Sequence, residues 1–293
     1  MRGRRRAHPG PDRAQYLWRA LEQCFGDEEF HVWYLDDIPQ LVENGEACDI
    51  ALVCGAQTVR AIRDSGLGET KWVRRRIYLA NWQRGTKHLG REFSALRALQ
   101  ADAVILGQSM YLEHYHKRIK HAYFVDRGFD PEVFYPSPLS ERTRGIVFCG
   151  NVEAFDREIR LEKMAAEFPG CVEWLRFNRH VDMALFLRSG DIGWNQILNM
   201  PRAKGINYRV WEVLGSGIML LTNETDDVTR VLKPGIHAVF WKDDADLIEK
   251  ARYYLKHRTK AHEIAKMGHG LALKGHTWAH RAEQIRGIVE SVL

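Results

Sequence analysis

The 293-residue sequence has no run of 18 uninterrupted apolar residues, so we expect no helix that spans a membrane. Its first ten residues, MRGRRRAHPG, carry charge and have no apolar segment behind them. That pattern is not typical of a secretory signal. We therefore expect a cytoplasmic protein.

Cysteine is scarce and lacks the spacing of a metal or redox site. The five cysteines are odd in number and never stand in a C-x-x-C pair. Most lie in or beside apolar runs, which favours small buried side chains in a reducing compartment. No histidine cluster has zinc spacing, so we expect no bound metal.

Composition is that of a folded protein. Hydrophobic residues make up 45% and charged residues 28%, which excludes a disordered chain. The formal net charge of +5 favours an anionic partner, and the length favours two domains.

Short apolar runs alternate with helical patterns along almost the whole sequence. Ten strands are predicted, at 30–35, 50–54, 76–80, 103–106, 122–125, 145–149, 172–177, 192–194, 218–221 and 238–241. Nine of the helices between them are predicted at 14–25, 58–64, 91–100, 110–118, 157–167, 182–189, 207–215, 245–257 and 276–292. This alternation predicts α/β domains with doubly wound parallel sheets.

Residues 129–144 separate the two halves, because Pro131, Pro136 and Pro138 interrupt any helix or strand there. The predicted domains are 1–138 and 139–293, with the last helix able to pack back on the first domain.

The first candidate site is the strand–turn–helix at 145–167. Its strand ends at Gly150-Asn151, Asp156 can cap the next helix, and Arg157 lies in the first helical turn. A glycine at a strand end admits a ligand to the backbone, and a helix N-terminus favours anions. Neither a Walker loop nor a G-x-G-x-x-G fingerprint is present, so an ordinary strand-to-helix turn is the alternative.

The second candidate site is KGINYRVWEVLGSG at 204–217. It places Asn207, Arg209 and Glu212 in the first two turns of a helix at the carboxyl edge of the predicted sheet. There the arginine can meet phosphate and the glutamate can accept from ribose hydroxyls. Alternatively, Arg209 and Glu212 form an i,i+3 ion pair.

These motifs occur in an order that resembles glycosyltransferases of the GT-B fold, closest to the CgeB-like branch (spore-maturation proteins) near glycosyltransferase family 4. The similar features are the strand-G-N turn, N-x-R-x-x-E-x-x-G-x-G at 207–217, K-P-G at 233–235 and H-T-W-x-x-R-A-E-Q at 276–284. Before them, RGFDPEVFYP at 127–136 resembles the family's crossing into its second domain.

The resemblance implies two Rossmann-like domains, the first on the acceptor side and the second binding a nucleotide-sugar. Glu212 corresponds to the glutamate that holds the donor ribose. Arg157 and Arg209 would lie near the diphosphate, with Gly150-Asn151 facing it and Asn207 beside it. Catalysis would be metal-independent, with no cofactor besides the UDP- or GDP-linked sugar substrate.

The sequence departs from the family at two places. Many family 4 members have a glutamate eight residues before the ribose-binding one, where this chain has Lys204, so retention of anomeric configuration does not follow. The family's first strand and glycine-rich loop are also missing, and we expect an abbreviated N-terminal domain.

Several further residues have both a functional and a purely structural interpretation. His88, between a predicted strand and helix, is a candidate general base or acceptor ligand. Asp36-Asp37 would bind an acceptor hydroxyl or cap a helix. Trp82 and Trp194, at strand ends, would stack on a sugar or base, or else belong to the core. The basic cluster is a solvated face or a phosphate or nucleic-acid contact, and it comprises His114, His116, Lys117, Arg118, Lys120 and His121.

The sequence therefore predicts a glycosyltransferase whose acceptor is a glycan, a protein, a small molecule or DNA. The alternatives are a phage-type DNA-base glycosyltransferase and a catalytically silent GT-B module that binds a nucleotide or glycan.

Overall fold

A computed structural model describes residues 14–26, 48–54, 56–65, 73–80, 89–153, 156–197 and 205–292. The predicted strand 30–35 and the candidates Asp36, Asp37, Trp82, His88 and Lys204 lie outside the described residues. The chain forms two compact units. Residues Arg127–Thr277 lie in one unit, and Arg13–Asp126 together with Trp278–Leu293 form the other. We call them the C-terminal and N-terminal units. The domain ranges 1–138 and 139–293 stay a prediction.

The N-terminal unit contains a parallel sheet in the order β1-β2-β3-β4. Ile77, Ala103 and His121 stand side by side across β2, β3 and β4. Its strands are β1 (Cys48–Cys54), β2 (Val73–Ala80), β3 (Ala103–Leu106) and β4 (His121–Phe124). Its helices are α1 (Ala14–Phe25), α2 (Ala56–Asp64), α3 (Leu89–Leu99), α4 (Leu112–His116) and α11 (Trp278–Val292), with a 3₁₀ turn at Ser109–Tyr111.

Helix α1 packs on α11, the last helix of the chain. Leu17 and Leu21 of α1 are buried, and Arg286 of α11 donates to the carbonyl oxygen of Cys24 at 3.2 Å. The Cys24 thiol donates to Glu283 at 3.3 Å. The end of the chain is thereby tied to the unit that contains its first described helix.

The C-terminal unit contains a five-stranded parallel sheet in the order β6-β5-β7-β8-β9. Its strands are β5 (Arg144–Cys149), β6 (Val172–Leu175), β7 (Gly190–Asn195), β8 (Met219–Asn223) and β9 (Val239–Trp241). Its helices are α5 (Arg157–Glu167), α6 (His180–Arg188), α7 (Tyr208–Gly215), α8 (Asp226–Val231), α9 (Asp244–Lys256) and α10 (Arg258–Gly275), with a 3₁₀ turn at Leu139–Glu141.

Helices cover both faces of this sheet, because successive side chains of a strand point to opposite faces. Val147 of β5 packs in one core with α6 and α7, whereas Ile146 and Phe148 pack in the other with α5 and α9. The structure thus confirms the predicted α/β class with two parallel sheets.

Trp194 belongs to the second of these cores, so the structure confirms its core interpretation and not the stacking one. The residue is 0% exposed, and its ring stacks on Trp241 with the ring centres 6.4 Å apart. It is the last-but-one residue of β7 and points to the face covered by α5 and α9, where no sugar or base can reach it.

Each described strand overlaps a predicted one, and nine described helical segments overlap the nine predicted ranges. The longest described helix, α10, is absent from the nine predicted ranges. Gly268 and Gly270 lie within it, and glycine lowers helix propensity by about 1 kcal/mol. Packing on β8 and α7 stabilises the helix despite these glycines.

The four described cysteines form no disulfide with one another, and their burial differs from the expectation. Cys149 is buried, Cys24 and Cys54 are half-buried, and Cys171 is exposed. Among the described cysteines, only Cys149 is therefore buried as expected.

Gly268 and Gly270, both inside α10, give a matched test of its packing. A Cβ on Gly268 would lie 2.4 Å from the carbonyl oxygen of His237, whereas a Cβ on Gly270 would meet nothing within 4 Å. We expect Gly268→Ala to lower the free energy of unfolding by about 1–3 kcal/mol through overpacking. Gly270→Ala should raise it by about 0.5–1 kcal/mol through helix propensity. Denaturant unfolding measures both, and equal shifts would contradict the packing of α10.

Candidate functional site

The carboxyl ends of β5, β7 and β8 meet at one edge of the C-terminal sheet. Strand β5 lies between β6 and β7, so the chain leaves β5 toward one side and later returns on the other. At such a reversal of strand order the connections diverge and leave a crevice in which α/β proteins bind ligands. Gly150-Asn151 follows β5 in this crevice, and Gln196 follows β7.

Arg209 of α7 reaches across this edge to β5. Its Nε donates to the carbonyl oxygen of Cys149 at 2.5 Å, and its guanidinium lies 4.3 Å from the centre of the Phe148 ring. A Cβ on Gly150 would lie 2.0 Å from Nη2 of Arg209, so only glycine permits this approach. Gly150 also has a φ of 140°, which L side chains rarely adopt. The glycine thus holds the arginine at the crevice.

Asn195, the last residue of β7, orients two of the predicted donor-binding residues. Its side-chain oxygen accepts from Asn207 at 3.0 Å and from Arg209 at 3.2 Å. Its amide nitrogen donates to the Thr222 hydroxyl at 3.0 Å, and Asn195 and Thr222 are register partners on β7 and β8. Asn195 is 0% exposed, and its bond to Thr222 is fully buried while those from Asn207 and Arg209 are partly buried.

Asn207 begins α7 as its N-cap. Its side-chain oxygen accepts from the backbone nitrogen of Val210 at 3.3 Å, while its amide bonds Asn195. One residue therefore satisfies a free N–H of the first helical turn and links that turn to β7.

Glu212 lies one turn further along α7 and is 3% exposed. Burial raises the pKa of the Cys149 thiol to about 12, and the charge of Glu212 also raises it while Arg209 lowers it. Glu212 is thus close enough to Cys149 to act on it electrostatically.

Arg157 spans the crevice from α5, the helix on the opposite face of the sheet from α7. Its Nη1 donates to the carbonyl oxygen of Asn151 at 3.1 Å and its Nη2 to that of Gln196 at 2.9 Å. Burial lowers the pKa of its guanidinium. Arg157 therefore ties the segments that follow β5 and β7 to each other.

Asp156 occupies the predicted N-cap position of α5 but does not cap the helix with its side chain. Its φ is 57°, in the left-handed region, and its side chain makes no capping hydrogen bond. Nearby, the side-chain oxygen of Asn151 accepts from the backbone nitrogen of Glu153 at 2.9 Å.

Asn223, at the end of β8, completes the edge. Its side chain accepts from the backbone nitrogen of Ile197 at 2.6 Å and donates to the carbonyl oxygen of Ile197 at 3.1 Å. The segment after β7 is thus held by Arg157 from one side and by Asn223 from the other. Beside it lies an open groove of about 400 Å³, lined by Asn223, Glu224, Thr225, Asp226, Thr229, Trp241 and Lys242.

The structure brings Gly150, Arg157, Asn207, Arg209 and Glu212 to this one edge. Asn151 lies there too, with its carbonyl oxygen bonded to Arg157. His88 lies outside the described residues, and its role stays a prediction. Sequence reasoning missed the polar residues at the strand ends, Asn195, Gln196, Thr222 and Asn223. The available signal was polar residues directly after buried runs, in W-N-Q and L-L-T-N.

Among the described residues, no group of three or more His, Cys, Asp and Glu side chains has the arrangement of a metal site. Within the same residues, no helix is both long and apolar enough to cross a bilayer.

Asn195→Ala tests whether this residue organises the edge. It would remove three hydrogen bonds of a buried side chain and leave the Asn207 amide without that partner. We expect a loss of about 2–3 kcal/mol in the free energy of unfolding, since one buried unsatisfied group costs about 1–3 kcal/mol. Asn178→Ala is the control, because Asn178 is exposed in the same unit. Similar values for both variants in denaturant unfolding would contradict the role of Asn195.

A family model described as glycosyl transferase-like matches residues 145–287. A search of curated proteins finds no match to the sequence. A crystal structure of HepE from Anabaena in complex with UDP-glucose matches at 11% identity with a TM-score of 0.67, covering 87% of this chain and 82% of HepE.

Two other solved structures are similar. A glycosyltransferase from Rickettsia africae has 9% identity and a TM-score of 0.62, over 100% of this chain and 84% of that chain. Sucrose-phosphate synthase from Thermosynechococcus elongatus has 12% identity and a TM-score of 0.56, over 89% and 80% of the two chains. Residues 145–287 therefore match the glycosyl transferase-like family model, and the chain has the two-sheet α/β fold of GT-B glycosyltransferases.

Proposed function

We propose that this protein transfers a sugar from a UDP- or GDP-linked donor to an acceptor, without a metal ion or other cofactor. The donor diphosphate lies in the crevice between β5 and β7, and the acceptor binds through the N-terminal unit. The enzyme acts in the cytoplasm and is related to the CgeB-like and family 4 transferases. HepE, which has a similar fold, was crystallised with UDP-glucose, and this favours UDP as the nucleotide.

The position of Arg209 is the observation that carries the proposal. Its guanidinium lies against a glycine at the reversal of strand order, which is where α/β proteins bind ligands. Asn195 and the carbonyl oxygen of Cys149 fix its direction before any ligand binds. A pre-oriented guanidinium matches the oxygens of a diphosphate and loses little side-chain entropy on binding.

The other residues divide the remaining tasks. Gly150 and Asn151 present the backbone after β5 to the phosphates, and Asn207 sets the N-terminus of α7, whose dipole favours anions. Glu212, buried on α7, accepts from the ribose hydroxyls. Arg157 contributes charge to the crevice and keeps the two segments that bound it at a fixed separation.

Catalysis then rests on holding donor and acceptor together and on stabilising the charge of the departing diphosphate. Arg209, Arg157 and the helix N-terminus supply this stabilisation without reorganising, which is the condition for a large electrostatic contribution. His88 is the proposed general base for the acceptor hydroxyl. Because Lys204 stands where many family 4 members have a glutamate, we propose neither retention nor inversion of the anomeric configuration.

Arg209→Gln is the direct test of donor binding. We expect the Kd for UDP or GDP to rise about 10- to 100-fold, because a charge-assisted hydrogen bond contributes about 1.5–3 kcal/mol. Isothermal titration calorimetry measures the affinity. Arg252→Gln is the matched control, since Arg252 is an exposed arginine of the same unit that pairs with Glu167. Its Kd should equal that of the wild type.

Turnover is measured by donor hydrolysis and transfer with UDP-, GDP- and ADP-sugars, for the wild type and for Glu212→Ala. Glu212→Ala should lose most of the wild-type rate. The assignment is overturned if the wild type leaves every donor intact and binds no nucleotide. Nucleotide binding without turnover on any acceptor would instead identify a catalytically silent GT-B module.

A DNA acceptor is the second candidate, and the basic cluster of the N-terminal unit favours it. All six of its residues lie on α4, in the turn after it or at the start of β4. All are exposed, and none of them forms an ion pair within the described part of the chain. Arg118 is held over the Phe93 ring at 4.0 Å and donates to the carbonyl oxygen of His114 at 2.8 Å. A surface with cations that have no acidic partner suits a phosphate backbone.

Binding to duplex DNA should then weaken steeply with salt. Replacing Lys117, Arg118 and Lys120 together by Gln should reduce the slope of log K against log salt by about 0.9 for each lost phosphate contact. Gel shifts across a salt series measure this. A control with Lys242, Lys256 and Lys266 replaced, all exposed in the C-terminal unit, should keep the wild-type slope. No DNA affinity at low salt would exclude a DNA acceptor.

A further inference from the structure

Two buried arginines of the C-terminal unit each hold the backbone at one end of α7. Arg127 is 6% exposed, and its Nη1 donates to the carbonyl oxygen of Ile206 at 2.8 Å. Arg142 is 5% exposed, and its Nη2 donates to the carbonyl oxygen of Gly217 at 2.8 Å. Ile206 lies two residues before the helix and Gly217 two residues after it. The two side chains are therefore alike in type and burial but act on opposite ends of one helix.

Arg127 acts at the N-terminal end of α7, which carries the candidate site. Its guanidinium also lies 4.7 Å from the centre of the Tyr208 ring, the first residue of α7. It thus contacts the residue before Asn207 and the residue after it. Asn207 in turn bonds Asn195, which orients Arg209.

The segment that Arg127 holds has little other restraint from its own sequence. Gly205, directly before Ile206, has a φ of 116°, and a Cβ there would meet nothing within 4 Å. A glycine in open space gives the chain a wide choice of dihedral angles. The buried hydrogen bond from Arg127 to the carbonyl oxygen of Ile206 and the contact of Arg127 with the Tyr208 ring select one conformation.

We infer that Arg127 is a positioning residue for donor binding: it fixes the 205–208 turn and, through Asn207 and Asn195, the direction of Arg209. This rests on the proposed function, because it concerns affinity for the same donor. Arg142 has no such route to the site, since Gly217 lies at the far end of α7. Both arginines therefore contribute to stability, but only Arg127 contributes to nucleotide affinity.

The test compares Arg127→Met with Arg142→Met, in the full-length protein. Methionine keeps an unbranched side chain but donates no hydrogen bond. Hydrogen exchange is followed by mass spectrometry in peptides that cover 205–211 and 214–220, and the Kd for UDP and GDP by calorimetry. Arg127→Met should speed exchange in 205–211 and raise the Kd about tenfold, the equivalent of about 1.4 kcal/mol. Arg142→Met should speed exchange in 214–220 and leave the Kd within twofold of wild type.

Arg127→Lys provides the rescue, because an ammonium group can donate to the Ile206 carbonyl oxygen. It should recover part of the affinity that Arg127→Met loses. The inference is overturned if both methionine variants change the Kd equally, or if Arg127→Met keeps the wild-type Kd while the wild type binds nucleotide. A wild type that binds neither nucleotide overturns the proposed function itself, and the donor-binding role of Arg127 with it. The exchange data require no ligand, and unchanged exchange in 205–211 also rejects the role of Arg127.

Discussion

The side-chain amide of Asn195 is the interaction on which the candidate site depends. It lies at the end of β7, without access to water, and bonds Asn207, Arg209 and Thr222 at once. Because an unpaired amide would be costly there, the three partners hold one another in place. The backbone carbonyl of Cys149 and the space above Gly150 then decide where the guanidinium of Arg209 lies.

Two arginines, Arg157 and Arg209, bring positive charge to the crevice. Arg157 and Arg209 reach it from helices on opposite faces of the sheet, and the contacts that hold them there are mostly backbone carbonyl oxygens. A carbonyl orients a guanidinium without cancelling its charge. Two guanidinium groups oriented in this way are consistent with the proposed binding of an anion.

Much of the fold follows from local pattern. Near-continuous apolar runs predict the buried strands, and the proline-rich stretch at 129–144 lacks regular periodicity. Local pattern fails where packing overrides it. Helix α10 forms although it contains Gly268 and Gly270, because it packs on β8 and α7. At Gly268 the packing is so close to the carbonyl oxygen of His237 that there is no room for a side chain. Trp194 follows an apolar run and could have faced a ligand, but the parity of its position on β7 turns it into the core.

The sequence by itself determined that Gly150, Asn207, Arg209 and Glu212 stand after strands or at helix starts, since carboxyl ends of parallel strands share an edge. Only the tertiary structure decided which polar groups pair across that edge. Asn195 meets Thr222 because β7 and β8 align in that register, and Arg157 meets the carbonyl oxygen of Gln196 because β5 and β7 are neighbours. Strand order and register arise from long-range packing, which no local spacing encodes.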